Sequence, residues 1–266
     1  MSYIAQRGFD LYIKKDGVWT FAGVKGDQKG GKDTIAKHIL VKDMDDSEKE
    51  CLMYFPLYSE LTSVKVGVPE GSTLKAGKQP FRHKIAIFGS SFTHGCGASR
   101  PGMTYPAQFT RATGLQLLSM GVSGCSKLQP SFARALAEAD VEAYVFDGFS
   151  NGSGDSIRKN LFNFIETIQA AKPGVPLIFM SGIYWQNTNF DTKARIGWQK
   201  KADAANEMMA QALEKYKDVY FIPADAANEY NDVTADGVHP SDLGYYLWMK
   251  SVKDPIVKIL SEYGIK

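Results

Sequence analysis

Short apolar runs alternate with longer amphipathic stretches from Lys84 to the end of the chain. The apolar runs are rich in Ile, Val, Leu and Phe, which is typical of strands buried on both faces of a sheet. Strands that alternate with helices predict an α/β domain, in which helices cover both faces of a parallel sheet. The predicted strands are Lys84–Phe88, Leu115–Ser119, Ala143–Asp147, Leu177–Ser181 and Val219–Pro223.

The stretches between these runs have the periodicity of helices. In one of them, Ile157, Leu161, Phe164, Ile165 and Ile168 recur at the spacing of a single helix face. The predicted helices are Tyr105–Thr113, Pro130–Ala139, Ser156–Ala171, Thr192–Tyr216 and a last one from about Ser241 to Glu262.

The first 80 residues have a different pattern, with partial alternation of apolar and polar positions and several turn signals. This pattern predicts a small antiparallel, sandwich-like β domain over residues 1–80, followed by the α/β domain over residues 81–266. The predicted strand-like segments are Phe9–Lys14, Val18–Gly23, Cys51–Ser59 and Leu61–Pro69.

Composition narrows the range of partners. The 266-residue chain has 31 basic and 29 acidic side chains, so neither nucleic acid nor an anionic membrane is expected to be its main partner. No apolar run approaches the ~20 residues of a membrane span. The first residues lack the apolar core of a signal peptide, so we expect either a cytoplasmic protein or a leader outside this sequence.

The three cysteines, Cys51, Cys96 and Cys125, are too few for a disulfide framework. Cys96 and Cys125 each follow a glycine in a loop that is expected near the end of a strand. A bridge between these two residues is an alternative to free thiols.

The segment from Lys84 to Gly95 combines a buried strand with two serines. After the predicted strand the chain turns at Gly89, and Ser90 and Ser91 follow. Open α/β sheets bind their ligands at the carboxyl ends of parallel strands, so Ser91 is a candidate nucleophile. Taken alone, Gly-Ser-Ser after a strand is more often a plain turn.

A second candidate segment lies just before the last predicted helix. There Asp236 precedes His239 by three residues, so one loop carries a base together with a carboxylate that orients it. Pro240 and Ser241 then begin the helix, and the alternative is a simple turn followed by a helix cap.

Acyl transfer also needs donors for a negatively charged oxygen, and two loops supply candidates. Gly121 follows the second predicted strand, where its backbone N–H is not shielded by a side chain. Asn151 follows the third strand, where its side-chain amide is a possible donor. The backbone N–H of Ser91 is a third candidate, and all three lie at loops expected on the same edge of the sheet.

The order of Ser91, Gly121, Asn151 and the Asp236/His239 pair resembles that of the SGNH, or GDSL-like, hydrolases. The GASRPGMTYP and DGVHPSDLG segments look like those of a bacterial branch of GDSL-like esterases. In that branch a small β domain with a Gly-x-Asp-Leu-Tyr motif comes first, and this motif appears here from Gly8 to Tyr12. The resemblance implies a three-layer α/β/α, flavodoxin-like domain with a five-stranded parallel sheet behind a small all-β domain.

The resemblance also implies roles for these residues. Ser91 would be the nucleophile, His239 the general base and Asp236 its orienting partner, with Ser91, Gly121 and Asn151 forming the oxyanion hole. No metal or cofactor is expected. Activity should fall as His239 is protonated, near the roughly 6.5 of an ordinary imidazole.

Two positions depart from the family pattern. Ser90 stands where the family usually has Asp before the nucleophile, and Ser119 stands where an Asn often precedes the glycine of the second block. Because neither position belongs to the triad, we expect altered loop support rather than lost chemistry.

The resemblance favours a short acyl group, often acetate on a carbohydrate, and therefore a small-molecule or glycan ester as substrate. Tyr184 and Trp185 are candidates for a sugar-stacking platform or, alternatively, for packing. Arg100 either steers a polar substrate or makes a structural hydrogen bond. The alternatives are a carbohydrate-binding protein on a decayed hydrolase scaffold, and a thioesterase or lipase-like hydrolase of the same fold. Family context also favours a periplasmic or secreted location. Neither the oligomeric state nor the natural substrate follows from the sequence.

Overall fold

The computed structural model describes residues 1–30, 35–223 and 231–266. Contacts between residues divide the chain into two compact units. The N-terminal unit contains residues 1–81 and 99–102, and the C-terminal unit contains residues 82–98 and 103–266.

The N-terminal unit is built on one small antiparallel sheet. It contains helix α1 (Tyr3–Arg7) and strands β1 (Phe9–Lys15), β2 (Val18–Lys25) and β3 (Cys51–Tyr54). The strand order is β2-β1-β3. Asp16 and Gly17 both have positive φ angles at the turn between β1 and β2, as a tight two-residue hairpin turn requires.

The β structure in the described part of this unit is smaller than the expected sandwich-like domain. The predicted strand Cys51–Ser59 is shortened to β3, and the predicted strand Leu61–Pro69 is wrong. Every residue of Leu61–Pro69 is exposed, so its alternating valines have no apolar surface to face. Alternation predicts a strand only where one face is buried.

Asp10 of the Gly-Phe-Asp-Leu-Tyr motif is fully buried in this unit. Its Oδ2 accepts a hydrogen bond from Arg100 Nη1 at 2.6 Å and another from the Gly102 N–H at 2.8 Å. Arg100 Nη1 also donates to the Tyr12 hydroxyl at 2.7 Å. Arg100 therefore binds the Asp10 carboxylate and the Tyr12 hydroxyl of the motif. A structural hydrogen bond was one of the two alternatives for this residue.

The described part of the C-terminal unit contains a five-stranded parallel sheet with six α-helices. Its strands are β4 (Arg82–Gly89), β5 (Leu115–Gly121), β6 (Ala143–Phe146), β7 (Leu177–Met180) and β8 (Val219–Ile222). Its helices are α2 (Ser91–His94), α3 (Tyr105–Thr113), α4 (Pro130–Ala137), α5 (Gly154–Ala171), α6 (Thr192–Lys215) and α7 (Asp242–Glu262). Each predicted helix and strand of this unit is present, within about two residues of its predicted bounds.

The strand order is β5-β4-β6-β7-β8, so the expected α/β fold with a five-stranded parallel sheet is confirmed. Counted from the first strand of the unit, this is the flavodoxin-like order 2-1-3-4-5. The next strand, β5, lies on one side of β4, and the later strands β6, β7 and β8 extend the sheet on the other side. The crevice at this switch point, beyond the carboxyl ends of β4 and β6, is where such sheets bind ligands.

Alternate residues of each strand enter two separate cores. On one face Ile85 and Ile87 of β4 pack with apolar residues of α3 and α7. On the other face Ala86 and Phe88 pack with apolar residues of α4, α5 and α6. Because both faces of the strands are covered, the strands read as continuous apolar runs. In the described part of the chain, no helix has the length and hydropathy of a membrane span.

Candidate active site

Three side chains form a hydrogen-bonded chain at the carboxyl edge of the sheet. Ser91 Oγ lies 2.8 Å from His239 Nε2, and His239 Nδ1 lies 2.8 Å from Asp236 Oδ2. These are the distances expected between a nucleophile, a base and the carboxylate that orients the base. The structure thus brings together the three residues that the sequence proposes for a triad.

The loop that carries Asp236 and His239 is held by its own backbone. The Ala235 N–H donates to the His239 carbonyl oxygen at 2.7 Å, and the Ser241 N–H donates to the Val233 carbonyl oxygen at 2.8 Å. The side chain of Ser241 caps α7 by accepting from the Gly244 N–H. A narrow loop anchored on a long helix fixes where the imidazole points.

Asp236 uses its two oxygens for different partners. Oδ1 accepts the backbone N–H groups of Val238 at 3.0 Å and His239 at 2.8 Å, whereas Oδ2 faces the imidazole. Against the effect of partial burial, these hydrogen bonds hold the pKa of Asp236 below its ordinary value. The carboxylate is therefore charged and oriented toward His239 at neutral pH.

The turn that presents Ser91 is tied to the neighbouring strand by Asp147. Ser90 donates to Asp147 Oδ2 through its N–H at 2.9 Å and through its hydroxyl at 2.6 Å. Its Oγ also accepts the Phe92 N–H at 3.1 Å and so caps α2. Ser and Asp are both favoured cap residues, so Ser90 retains the capping function at the position where the family usually has Asp.

Asp147 is almost fully buried, with 1% of its surface exposed. Besides Ser90, it accepts hydrogen bonds from the hydroxyls of Thr93 and Ser150. Burial raises the pKa of Asp147, and these hydrogen bonds oppose that effect. One carboxylate therefore connects the Ser91 turn to the loop that carries Asn151.

The three candidate oxyanion donors follow neighbouring strands. Ser91 follows β4, Gly121 ends β5 and Asn151 follows β6, and β5-β4-β6 is the order in the sheet. Asn151 Oδ1 accepts the Ser126 N–H at 3.3 Å, which leaves the NH₂ end of the amide as the donor group. The arrangement is suited to donors that surround one oxygen near Ser91.

Gly121 has a packing role that the sequence did not reveal. A Cβ at this position would clash with the backbone of His94, in the helix that starts at Ser91. The glycine is thus needed for the close approach of β5 to α2, in addition to any role of its N–H.

Cys96 is a neighbour of the His239 imidazole that the sequence analysis considered only for a disulfide. The three cysteines are free in the structure. The hydrogen bond of the Cys96 side chain with His239, and then that of Asp236, raise the pKa of His239 to about 9 against the effect of burial. The Cys96 N–H also donates to the Ser91 carbonyl oxygen at 2.9 Å.

We expect the acid limb of the kcat/KM profile near pH 9, above the roughly 6.5 of an ordinary imidazole, since the base must be neutral. The Cys96→Ala variant removes the hydrogen bond that raises the pKa of His239 most, so it should move this limb to lower pH. Initial rates from pH 5 to 10 measure the shift of the acid limb.

The same pKa affects stability. The protonated imidazole stabilises the fold below pH ~6.5, and this contribution disappears as the pH rises through about 9.

The exposed Cys125 supplies the matched control for this experiment. Cys125→Ala should leave the profile unchanged. An acid limb that is identical in wild type and Cys96→Ala would show that the thiol does not set the pKa of His239.

Tyr184 and Trp185, the two aromatic candidates, follow β7 and are partly buried. Lys201 Nζ lies 3.8 Å from the centre of the Trp185 ring, while the Tyr184 ring packs edge-on against Trp198. Lys201 also donates to the Ser150 carbonyl oxygen at 2.9 Å, next to Asn151. Burial lowers the pKa of Lys201 to about 8. Sequence reasoning missed Lys201, because nothing near it distinguishes it from an exposed helix lysine.

The fold and this site define an SGNH-type ester hydrolase. The model of the GDSL-like lipase/acylhydrolase family matches residues 82–258, and a model of the GxDLY N-terminus of SGNH-hydrolase-type esterases matches residues 1–74. The chain therefore belongs to the GDSL-like lipase/acylhydrolase family, as its motifs predict. Comparison with curated proteins gives no match.

Solved structures agree with this assignment. A protein from Bacteroides ovatus ATCC 8483, described as a GDSL-like lipase, is 37% identical with a TM-score of 0.92, over 98% of this chain and 77% of that chain. The salicylyl-acyltransferase SsfX3 from a tetracycline biosynthetic pathway is 17% identical with a TM-score of 0.63, over 95% and 73%. A family two carbohydrate esterase from Clostridium thermocellum, in complex with cellohexaose, is 14% identical with a TM-score of 0.58, over 100% and 88%. The last two proteins share the fold of this chain.

Proposed function

We propose that this ester hydrolase is a serine esterase that removes short acyl groups, above all acetyl groups, from a carbohydrate. The observation that carries the proposal is the pair of 2.8 Å contacts from Ser91 to His239 and from His239 to Asp236. A scaffold that had lost catalysis would be under no constraint to keep this alignment, so the geometry favours an enzyme over a binding protein.

In the first step Ser91 Oγ attacks the ester carbonyl carbon while His239 Nε2 takes the serine proton. The carbonyl oxygen becomes negatively charged and is stabilised by the donors of Ser91, Gly121 and Asn151. The bond to the alcohol then breaks, and the alcohol leaves with the proton from His239. The acyl group remains covalently bound to Ser91.

In the second step water attacks the acyl-enzyme while His239 takes a proton from the water. The acid is released when the bond to Ser91 Oγ breaks and His239 returns the proton to the serine. Asp236 holds the tautomer with the proton on Nδ1 throughout and stabilises the imidazolium. The chain's own residues supply every proton transfer in this cycle.

Two observations support an acetylated sugar as the substrate. Short acyl groups on carbohydrates are favoured by the resemblance to the bacterial GDSL-like esterases. One protein of the same fold is a carbohydrate esterase in complex with cellohexaose, which makes acetylated sugars the first natural substrates to test.

The test compares p-nitrophenyl acetate, butyrate and octanoate as substrates, with wild type and Ser91→Ala side by side. Turnover should be fastest for acetate, fall with acyl length, and drop to background in Ser91→Ala because the nucleophile is missing. The control is Ser131→Ala, which changes an exposed serine of α4 and should behave as wild type. Full activity in Ser91→Ala would refute the mechanism, and a preference for octanoate would refute the short acyl group.

A further inference from the structure

A cleft of about 600 Å³ lies in the C-terminal unit, outside the triad itself. Its walls are the segment after β6 together with the first turns of α5, the segment after β7 and the first half of α6. This volume is within the ~300–1,000 Å³ range of small-molecule sites. The lining residues that matter for the chemistry are Asp155, Arg158, Trp185, Trp198, Lys201 and Asp203.

Two walls of the cleft are continuous with the catalytic residues. Gly152, in the first wall, directly follows Asn151. The other wall contains Trp185, which is followed by Gln186 and Asn187. The Asn187 N–H donates to the Gly237 carbonyl oxygen at 2.9 Å, in the loop that carries Asp236 and His239. The cleft is therefore connected, through the chain and this hydrogen bond, to the loops that carry Asn151 and His239.

The indole rings of the cleft are held in fixed orientations. The Trp198 Nε1–H donates to the Ile183 carbonyl oxygen at 3.0 Å, and its ring packs edge-on against Tyr184. The Trp185 ring is fixed by the Lys201 ammonium group, which lies 3.8 Å from its centre. Rigid aromatic walls bind a flat apolar surface with little loss of side-chain entropy.

The other side chains of the cleft are polar and nearly balanced in charge. Arg158 and Lys201 face this space together with Lys200, against Asp155 and Asp203. Arg158 is in turn paired with Glu207 at 2.8 Å. A fatty acyl chain would displace water from these groups and offer them no hydrogen bond in return, and a strongly anionic ligand would find no clear excess of positive charge. A neutral ligand with many hydroxyl groups can pair with both donors and acceptors.

We propose that this cleft is the subsite for a neutral pyranose ring in the alcohol part of the substrate, with its apolar C–H face against Trp185. A pyranose has an apolar face and a rim of hydroxyl groups, which matches indole walls set among charged side chains. The inference rests on the proposed esterase function, since it names the alcohol whose ester Ser91 cleaves.

The kinetic test compares an acetylated sugar with an ester that has no ring. The substrates are methyl 6-O-acetyl-β-D-glucopyranoside, which keeps three free hydroxyl groups, and ethyl acetate, and the readout is the ratio of their kcat/KM values. Trp185→Ala should lower this ratio at least tenfold, mainly through KM for the sugar ester. Phe190→Ala is the matched control, because that aromatic side chain is 99% exposed and does not line the cleft.

Trp185 also packs against the core, so a milder variant is needed beside Trp185→Ala. Trp185→Phe keeps a flat ring and should lower the ratio by a smaller factor, about two- to fivefold. Circular dichroism confirms that each variant is folded. If folded Trp185→Ala and Trp185→Phe both keep the wild-type ratio, the proposal is overturned. It is equally overturned if Trp185→Ala selectively slows the hydrolysis of p-nitrophenyl octanoate, since the cleft would then hold the acyl chain.

A binding experiment separates this proposal from the proposed function. Methyl β-D-glucopyranoside, which has no ester, is titrated into the protein while tryptophan fluorescence is recorded. A saturable change in wild type that is absent in Trp185→Ala supports the cleft even if no ester is hydrolysed. Hydrolysis of ethyl acetate that depends on Ser91, without saturable binding of the sugar, would leave the esterase function standing and refute the cleft.

Discussion

The Asp236→Asn variant is expected to fold normally and to lose about 10⁴-fold in kcat. The reason lies in the two backbone N–H groups, of Val238 and His239, that donate to Oδ1. They require an acceptor, so the amide oxygen of Asn occupies that position and the NH₂ group is turned toward His239 Nδ1. Nδ1 must then accept, and the ring proton moves to Nε2.

A proton on Nε2 prevents His239 from taking the proton of Ser91, although the distance of 2.8 Å is unchanged. The loss should therefore appear in kcat, measured with p-nitrophenyl acetate, while the thermal midpoint changes little. Asp232→Asn, at an exposed position four residues before Asp236, is the control and should stay within about twofold of wild type. If Asp236→Asn kept more than a tenth of the wild-type kcat, the orienting role would be wrong.

The strands of the C-terminal unit could be predicted because both of their faces are buried. Ile85 and Ile87 enter one core while Ala86 and Phe88 enter the other, so the run is apolar throughout. In the N-terminal unit the same reasoning gave one wrong strand, Leu61–Pro69. Its alternating valines suit a half-buried strand, but the residues are exposed, and only the tertiary structure decides whether a face is covered.

The candidate triad was accessible from the sequence because its members lie in short, distinctive segments at strand and helix ends. Cys96 and Lys201 were not accessible in the same way. Cys96 meets His239 across 143 positions of the chain, and Lys201 lies in a helix beside Lys200, which is exposed. Whether a lysine is buried depends on what packs over it, which its own neighbours in the sequence do not determine.

The role of Asp147 also depends on contacts that form only in the folded chain. The sequence places it at the end of a strand, in the segment considered only for Asn151. In the structure its carboxylate takes part in the support of the Ser91 turn, at a site where the family's usual Asp before the nucleophile is replaced by Ser90. The turn is thus supported both by Ser90, which caps α2, and by Asp147 at the end of the neighbouring strand.

The Asp147→Ala variant is expected to lower the free energy of unfolding by about 3 kcal/mol or more, because each buried donor left without a partner costs ~1–3 kcal/mol. Those donors are the N–H and hydroxyl of Ser90 and the hydroxyls of Thr93 and Ser150. We also expect kcat to fall about 10²-fold, since a small displacement of Ser91 from His239 is enough for such a loss. Urea denaturation and p-nitrophenyl acetate hydrolysis measure the two effects.

Asp147→Asn separates the loss of the acceptor from the loss of the charge. Its amide oxygen can take the place of Oδ2 and keep both bonds from Ser90, while the Ser150 hydroxyl can turn to accept from the NH₂ group. The loss of stability should therefore be much smaller, about 1 kcal/mol, for this variant. Asp140→Ala, at an exposed residue that precedes β6, is the control and should leave the urea denaturation midpoint close to that of wild type. Equal denaturation midpoints and equal kcat for Asp147→Ala and wild type would mean that the Ser91 turn holds its position without this carboxylate.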